Sequence, residues 1–230
     1  MPRLRLIAGP NGSGKTTLAR YLIAQGVPLG QYVNPDDVAK YISFFDVLHG
    51  ASDALDIELP CATDGLERFA AMFADMLAQR IAVGLRSEWV DARLSLTYES
   101  VMSHESHLEF VDDAKNAGFE SYLYYICTND SFINQERVGR RVLAGGHGVP
   151  ADKIISRYKK SLALLHVMAN KCKRAYFFDN SGDNHIHFAE ITPDGYLDIY
   201  QKYFDQANPD WFVSAVLEKW DHDKVRLASL

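Results

Sequence analysis

The sequence predicts a three-layer α/β/α fold with a mainly parallel central sheet, and three observations point to it. Short apolar runs alternate with amphipathic stretches nearly throughout, the pattern of a parallel sheet covered on both faces. The first apolar run, Leu4 to Ala8, ends on a glycine-rich loop that leads straight into a helical pattern. The 230 residues are 47% hydrophobic and 23% charged, which suits one globular domain with a sizeable core.

The elements follow in order. Leu4 to Ala8 reads as a buried first strand. Lys15 to Gln25 places Leu18, Leu22 and Ile23 on one helical face and stops at Gly26, with Pro28 beyond. Gln31 to Asn34 reads as a second strand ended by Pro35, and Asp36 to Phe45 as a short helix. Ala51 to Thr63 is irregular and acidic. Asp64 to Val83 reads as a long amphipathic helix with Leu66, Phe69, Phe73, Met76 and Leu77 inward. Arg93 to Tyr98 alternates like a strand, Ser103 to Ala117 is helical up to Gly118, and Glu120 to Cys127 is strongly strand-like.

Two helices, Ser131 to Ala144 and Ala151 to Ala169, flank the loop Gly145 to Pro150. Arg174 to Phe178 is a further strand. His185 to Ile191 and Tyr196 to Tyr200 form a hairpin around Pro193-Asp194-Gly195, and a short helix containing Trp211 follows. The expected organisation is one domain over residues 1–230, with the hairpin and short helix at about 185–220.

Composition excludes several classes. The net charge of -6 argues against a nucleic-acid partner, which a basic surplus would favour. Cys61, Cys127 and Cys172 are odd in number and lack C-x-x-C spacing, which argues against a disulfide framework or a zinc site and fits a reducing compartment. No signal peptide and no membrane-spanning run is read, so the expected location is cytoplasmic.

The strongest motif is Gly9-Pro-Asn-Gly-Ser-Gly-Lys15-Thr16, a complete G-x-x-x-x-G-K-[ST] between a predicted strand and a predicted helix. Glycines let the loop turn its N–H groups inward, and the helix N-terminus favours an anion. Gly9, Asn11, Gly12, Ser13, Gly14, Lys15, Thr16 and Thr17 are therefore expected to bind ATP or GTP. Lys15 would reach the β- and γ-phosphates, and Thr16 would ligate Mg²⁺.

Ligands of parallel sheets gather at the carboxyl ends of the strands. Asn34-Pro35-Asp36-Asp37 ends the second strand, and Glu99 ends the third. Asp36 or Asp37 is a candidate general base for a small-molecule acceptor hydroxyl, while a helix cap explains Asp36 equally well. Glu99 would position the acceptor or hold a metal-bound water, against an exposed loop carboxylate as the plain alternative. Arg137, Arg140, Arg141 and Arg157 flank the Gly145 to Pro150 loop and suit charge stabilisation on a transferring phosphoryl group, or a solvated helix face. His104, His107, His147, His185 and His187 lack metal-ligand spacing.

Taken together, GPNGSGKTT at Gly9 to Thr17, VNPDDVA at Val33 to Ala39 and Tyr98-Glu99-Ser100 resemble the zeta-toxin-like P-loop kinases. So do ERVGRRVLAGGHGV at Glu136 to Val149, IISRYKKSL at Ile154 to Leu162 and FDNS at Phe178 to Ser181. The resemblance implies a P-loop kinase fold and transfer of a γ-phosphoryl group from ATP or GTP to a hydroxyl, in zeta toxins that of a UDP-N-acetyl amino sugar. It implies Asp36 as catalytic base, Lys15 and Thr16 in the phosphate and Mg²⁺ roles, and Glu99 in contact with the acceptor. Ser100 and Asp37 are grouped with Glu99 as acceptor-side residues. Arg141 and Arg157 match the phosphate-contacting arginines, with Arg137 and Arg140 as competing positions. Val101 stands where the toxins carry threonine. A small antitoxin is the implied protein partner. The reading from another class is a nucleotide-dependent switch that binds ATP without small-molecule kinase activity.

Overall fold

Five consecutive buried residues, Leu4 to Ala8, form the first strand and show why it lies inside the sheet: both of its faces are covered. A computed structural model describes residues 1–42, 64–144 and 148–229. The expected helix end at Phe45, the stretch Ala51 to Thr63 with Cys61, and Gly145, Gly146 and His147 lie outside the described residues. So do the side chains of Leu66 and Phe69.

In chain order the elements are β1 (Arg3–Ala8), α1 (Lys15–Ala24), β2 (Gln31–Val33), α2 (Pro35–Ala39), α3 (Asp64–Asp91) and β3 (Leu96–Ser100). They continue with α4 (Ser106–Asn116), β4 (Glu120–Cys127), α5 (Ser131–Leu143), α6 (Ala151–Lys171) and β5 (Arg174–Asp179). The last are β6 (Ile186–Ile191), β7 (Leu197–Tyr200), α7 (Gln201–Ala207), α8 (Asp210–Ala215) and β8 (Val225–Ala228). The chain groups into two units, Met1–Tyr32 with Val90–Leu230, and Val33–Trp89.

The sheet has eight strands in the order β2-β3-β1-β4-β5-β6-β7-β8. β1 pairs in parallel with β3 and β4, and β4 with β5, so these strands share one carboxyl edge. β6 reverses direction against β5 and β7, and β8 runs parallel to β7. The expected α/β class with a mostly parallel sheet is the one observed.

Each sheet face has its own helical cover. Ile7, Tyr124, Ile126 and Phe178 pack with Leu18, Ala19 and Leu22 of α1 on one side. α4 and α6 pack on β4 on the other, and α6 also meets α8. There Phe212 stacks edge-on against Phe177 at 4.9 Å and Phe188 at 5.0 Å.

Several element ends differ from expectation, each for a local reason. The long helix runs on to Asp91, past the predicted end at Val83, and Arg93 closes it in a left-handed conformation (φ 55°). That takes the first residues of the predicted third strand, which starts at Leu96. Met76, expected inward, is 54% exposed; Ala70, Ala78 and Ala82 hold buried positions on α3 instead. α4 starts at Ser106 rather than Ser103, because the His104 Nδ1 accepts from the Ser106 amide and makes a turn there. α7 and β8 went unpredicted.

The histidines expected at 185 and 187 sit in an aromatic cluster. His187 stacks on Phe178 at 4.8 Å and meets Tyr200 edge-on at 5.2 Å. Burial pushes its imidazole down to about 4. A histidine held neutral in the fold is protonated only by the unfolded chain between that value and its ordinary one. Its stabilising contribution is therefore complete above about pH 6.5 and is lost as pH falls toward 4. Urea denaturation at pH 7 and pH 5 is expected to show His187→Phe losing about 2 kcal/mol less stability over that interval than the wild type.

Candidate active site

Between β1 and α1 the chain must turn sharply while exposing its amides, and three glycines with positive φ make this possible: Gly9 at 150°, Gly12 at 76° and Gly14 at 100°. Gly14 serves as the left-handed N-cap of α1, which starts on Lys15. The Lys15 ammonium donates to the carbonyls of Gly9 and Pro10, both at 3.0 Å, and so is held across the loop. The Pro10 carbonyl also accepts from the Ser13 amide at 3.2 Å. Ser13 is fully buried, Asn11 nearly so, and Thr17 is exposed.

The loop is pinned from outside by two asparagines that sequence reading missed. Asn134, fully buried on α5, donates through Nδ2 to the Asn11 carbonyl at 2.6 Å and accepts from the Thr128 hydroxyl. Asn180, just past β5, donates to the Ser13 carbonyl at 2.8 Å. Buried amides bound at both ends rigidify the groups they bridge. The available signal was an asparagine four residues before Val138, on the buried stripe of α5, where an apolar residue is normal.

Arg137 extends the same bracing. It donates to the carbonyls of Asn180 at 2.7 Å and Gly182 at 3.0 Å, so it anchors α5 to the segment that carries Asn180. Arg140 is exposed and pairs with Glu136 at 3.3 Å. Arg141 is exposed in the last turn of α5, and Arg157 is half-buried on α6.

Glu99 is only 4% exposed, so the plain reading of it as an exposed loop carboxylate fails. The cause is its place on β3 beside Ile7 of β1, inside the sheet. Its Oε2 accepts from the Thr16 hydroxyl at 3.0 Å, and its Oε1 accepts from the Tyr32 phenol of β2. Tyr32 is a third residue missed by sequence reading. Ser100 has its hydroxyl turned to the chain: it accepts from the Met102 amide at 2.9 Å and bonds His107 Nε2 at 2.8 Å.

Thr16 and Glu99 offer only oxygen atoms, the donor set that suits a hard cation such as Mg²⁺. They are the residues that could hold such an ion.

In the other unit, Asp36 and Asp37 lie in the first turn of α2. Asn34 is the cap there: its side chain accepts from the Asp36 amide at 3.1 Å, with Pro35 at the first helical position. The cap explanation for Asp36 is thereby overturned. Asp37 pairs with Lys40 on the surface at 2.5 Å.

The FDNS segment has an anchoring part. Asp179, buried at the end of β5, accepts from the Ser181 amide at 2.8 Å and from the Trp211 indole at 2.9 Å. Asn129, after β4, donates to the carbonyl of Asn208 at 3.0 Å. Cys127 and Cys172 are buried and unpaired, and burial pushes the Cys172 thiol up to about 12. Among the described residues, no helix is long and apolar enough to cross a membrane.

The family model described as Zeta toxin matches residues 1–191. An uncharacterised protein of Haemophilus influenzae is 30% identical over 150 residues, 65% of this chain and 88% of that protein. Among solved structures, a chain of the AvrRxo1-ORF1:AvrRxo1-ORF2 complex with sulphate ions aligns over 91% of this chain at 16% identity, with a TM-score of 0.62. The complex crystallised with ATP gives a TM-score of 0.61 at 16% identity, over 91% of this chain and 64% of that one. The present chain thus spans slightly under two thirds, 65%, of the first of these chains. A chain of the PezAT chromosomal toxin-antitoxin system of Streptococcus pneumoniae aligns over 97% of this chain and 82% of its own length. Its TM-score is 0.56 at 14% identity.

Proposed function

Because the chain belongs to the Zeta toxin family, we propose that it is a P-loop kinase, binding ATP or GTP with Mg²⁺ and transferring the γ-phosphoryl group to a small-molecule hydroxyl. The acceptor class we assign is a UDP-N-acetyl amino sugar. The observation that carries the reading is the braced cradle itself. Gly9 to Thr17 forms a complete phosphate loop, with Lys15 held across it and the Thr16 hydroxyl bonded to buried Glu99. Such preorganisation serves a reaction whose catalysis is mostly positioning and charge stabilisation.

In this reading Asp36 takes the proton of the acceptor hydroxyl as that oxygen attacks the γ-phosphorus and the bond to the β-γ bridging oxygen breaks. Arg141 and Arg157 stabilise charge on the moving group. Glu99, Ser100 and Asp37 make up the acceptor side, and residues 1–230 work as one domain in the cytoplasm. Relatives crystallised as two-component complexes support a small antitoxin as partner.

The test follows labelled phosphate from ATP, with Mg²⁺, into a panel of UDP-sugars. Transfer by the wild type is expected, falling about 10²- to 10⁴-fold in Asp36→Asn while ATP binding survives. ATP binding without transfer to any acceptor would sink the kinase reading and favour the switch.

A further inference from the structure

A cavity of about 380 Å³ lies far from the phosphate loop. Its lining includes Lys173, which precedes β5, and β5 runs parallel to β4 and β4 to β1, so the cavity sits at the amino edge of the strands. Gly9 follows the carboxyl end of β1. Three pieces of chain build the walls: the end of α6, the turn between β6 and β7, and residues 219–224. The volume falls within the roughly 300–1,000 Å³ of small-molecule sites.

The chemistry of the walls is one-sided. Ile191, Pro193 and Ala169 give an apolar floor, and the rings of His166 and Trp220 meet edge-on at 5.8 Å beside it. Trp220 is 7% exposed, and its buried indole N–H has no acceptor among the described residues. A buried donor left without a partner carries its full desolvation cost, and such groups are few in folded proteins. Lys219 and Lys224 line the same cavity, exposed and without a carboxylate partner among the described residues. Lys173, by contrast, is bound to Glu120. Asp221 is the carboxylate on the lining, and it accepts from the Asp223 amide at 3.2 Å. Besides Lys173, the lining therefore carries two ammonium groups against one carboxylate.

We propose that this cavity is a second ligand site, separate from the nucleotide site, for a small organic anion: a carboxylate or phosphate ester on an apolar or flat body. The body lies on the floor, the anionic oxygens meet Lys219 and Lys224, and a small turn of the Trp220 ring brings its indole N–H, closed to solvent in the empty cavity, to one of them.

Proton–nitrogen correlation spectra of the whole chain test this directly, because its three tryptophans give three indole signals. Trp220→Phe assigns the relevant one. Trp211, already bonded to Asp179, is the internal control. The probes are phenyl phosphate, benzoate and orthophosphate. Phenyl phosphate or benzoate is expected to move the Trp220 signal to lower field, saturably, with the Trp211 signal still. Comparing these two probes separates phosphate from carboxylate recognition. Lys219→Ala/Lys224→Ala, changed at exposed positions, is expected to weaken binding about tenfold or more. A Trp220 signal unmoved by all three probes overturns the proposal, as does equal affinity in the double variant or a Trp211 signal that moves in step. Orthophosphate binding as tightly as phenyl phosphate overturns the apolar part of the site.

Discussion

Lys15→Ala is expected to slow phosphoryl transfer by about 10²- to 10³-fold, the scale for removing one preorganised donor from a transition state's charge. The lysine already lies across the loop, bonded to the Gly9 and Pro10 carbonyls at 3.0 Å, so no reorganisation is required before it meets phosphate oxygens. Both carbonyls can turn to water in the variant, which limits the stability loss to about 1 kcal/mol. A thermal melt would then move by only a few degrees while turnover collapses. Lys15→Arg is expected to rescue little, because a planar fork does not replace a compact ammonium in a tight loop. Equal turnover in Lys15→Ala and wild type would remove the loop from the chemistry altogether.

Gly9→Ala is expected to cost about 3–5 kcal/mol, among the largest single-residue effects in this chain. The residue sits at φ 150°, where an L side chain is strained, and a Cβ there would run into the Ile126 carbonyl and reach 2.8 Å from Ser13 Oγ. Ile126 cannot give way, because β4 is held between β1 and β5. Gly195→Ala separates the two causes. It also has positive φ, 80°, but nothing lies within 4 Å of its Cβ position. That variant is expected to lose only about 1–2 kcal/mol. Urea denaturation of the three proteins gives the comparison, and similar losses for both variants would refute the packing explanation.

The parts of the site legible in the sequence were those where backbone geometry demands a residue type. The phosphate loop needs glycines, and its place between an apolar run and a helical one left little ambiguity. The limits of β4, Glu120–Cys127, were read to the residue because its apolar and aromatic run lies between the turn formers Gly118 and Asn129-Asp130. The cap of α2 was misplaced by two residues. Pro35 supplies the reason: proline favours the first helical position, so the cap is the residue before it. Tyr32, Asn134 and Asn180 stayed hidden because each reaches a group more than 60 residues away in sequence, and no local pattern encodes such a partner. α7 begins directly after β7 without a side-chain cap, and β8 is a four-residue edge strand, so neither leaves a clear periodic signal.

The hydrogen bond from Trp211 to Asp179 bears on where this protein can be cut. The match to the family model ends at residue 191, yet the indole beyond that point satisfies a buried carboxylate next to Asn180, which braces the loop. Asn129, between β4 and α5, reaches the same late segment through the Asn208 carbonyl. Trimming to the matched region would strand Asp179 and uncover Phe177 and Phe188. The end of the family match and the end of a foldable piece are different places here, and the last 39 residues help to hold the glycine-rich loop in position.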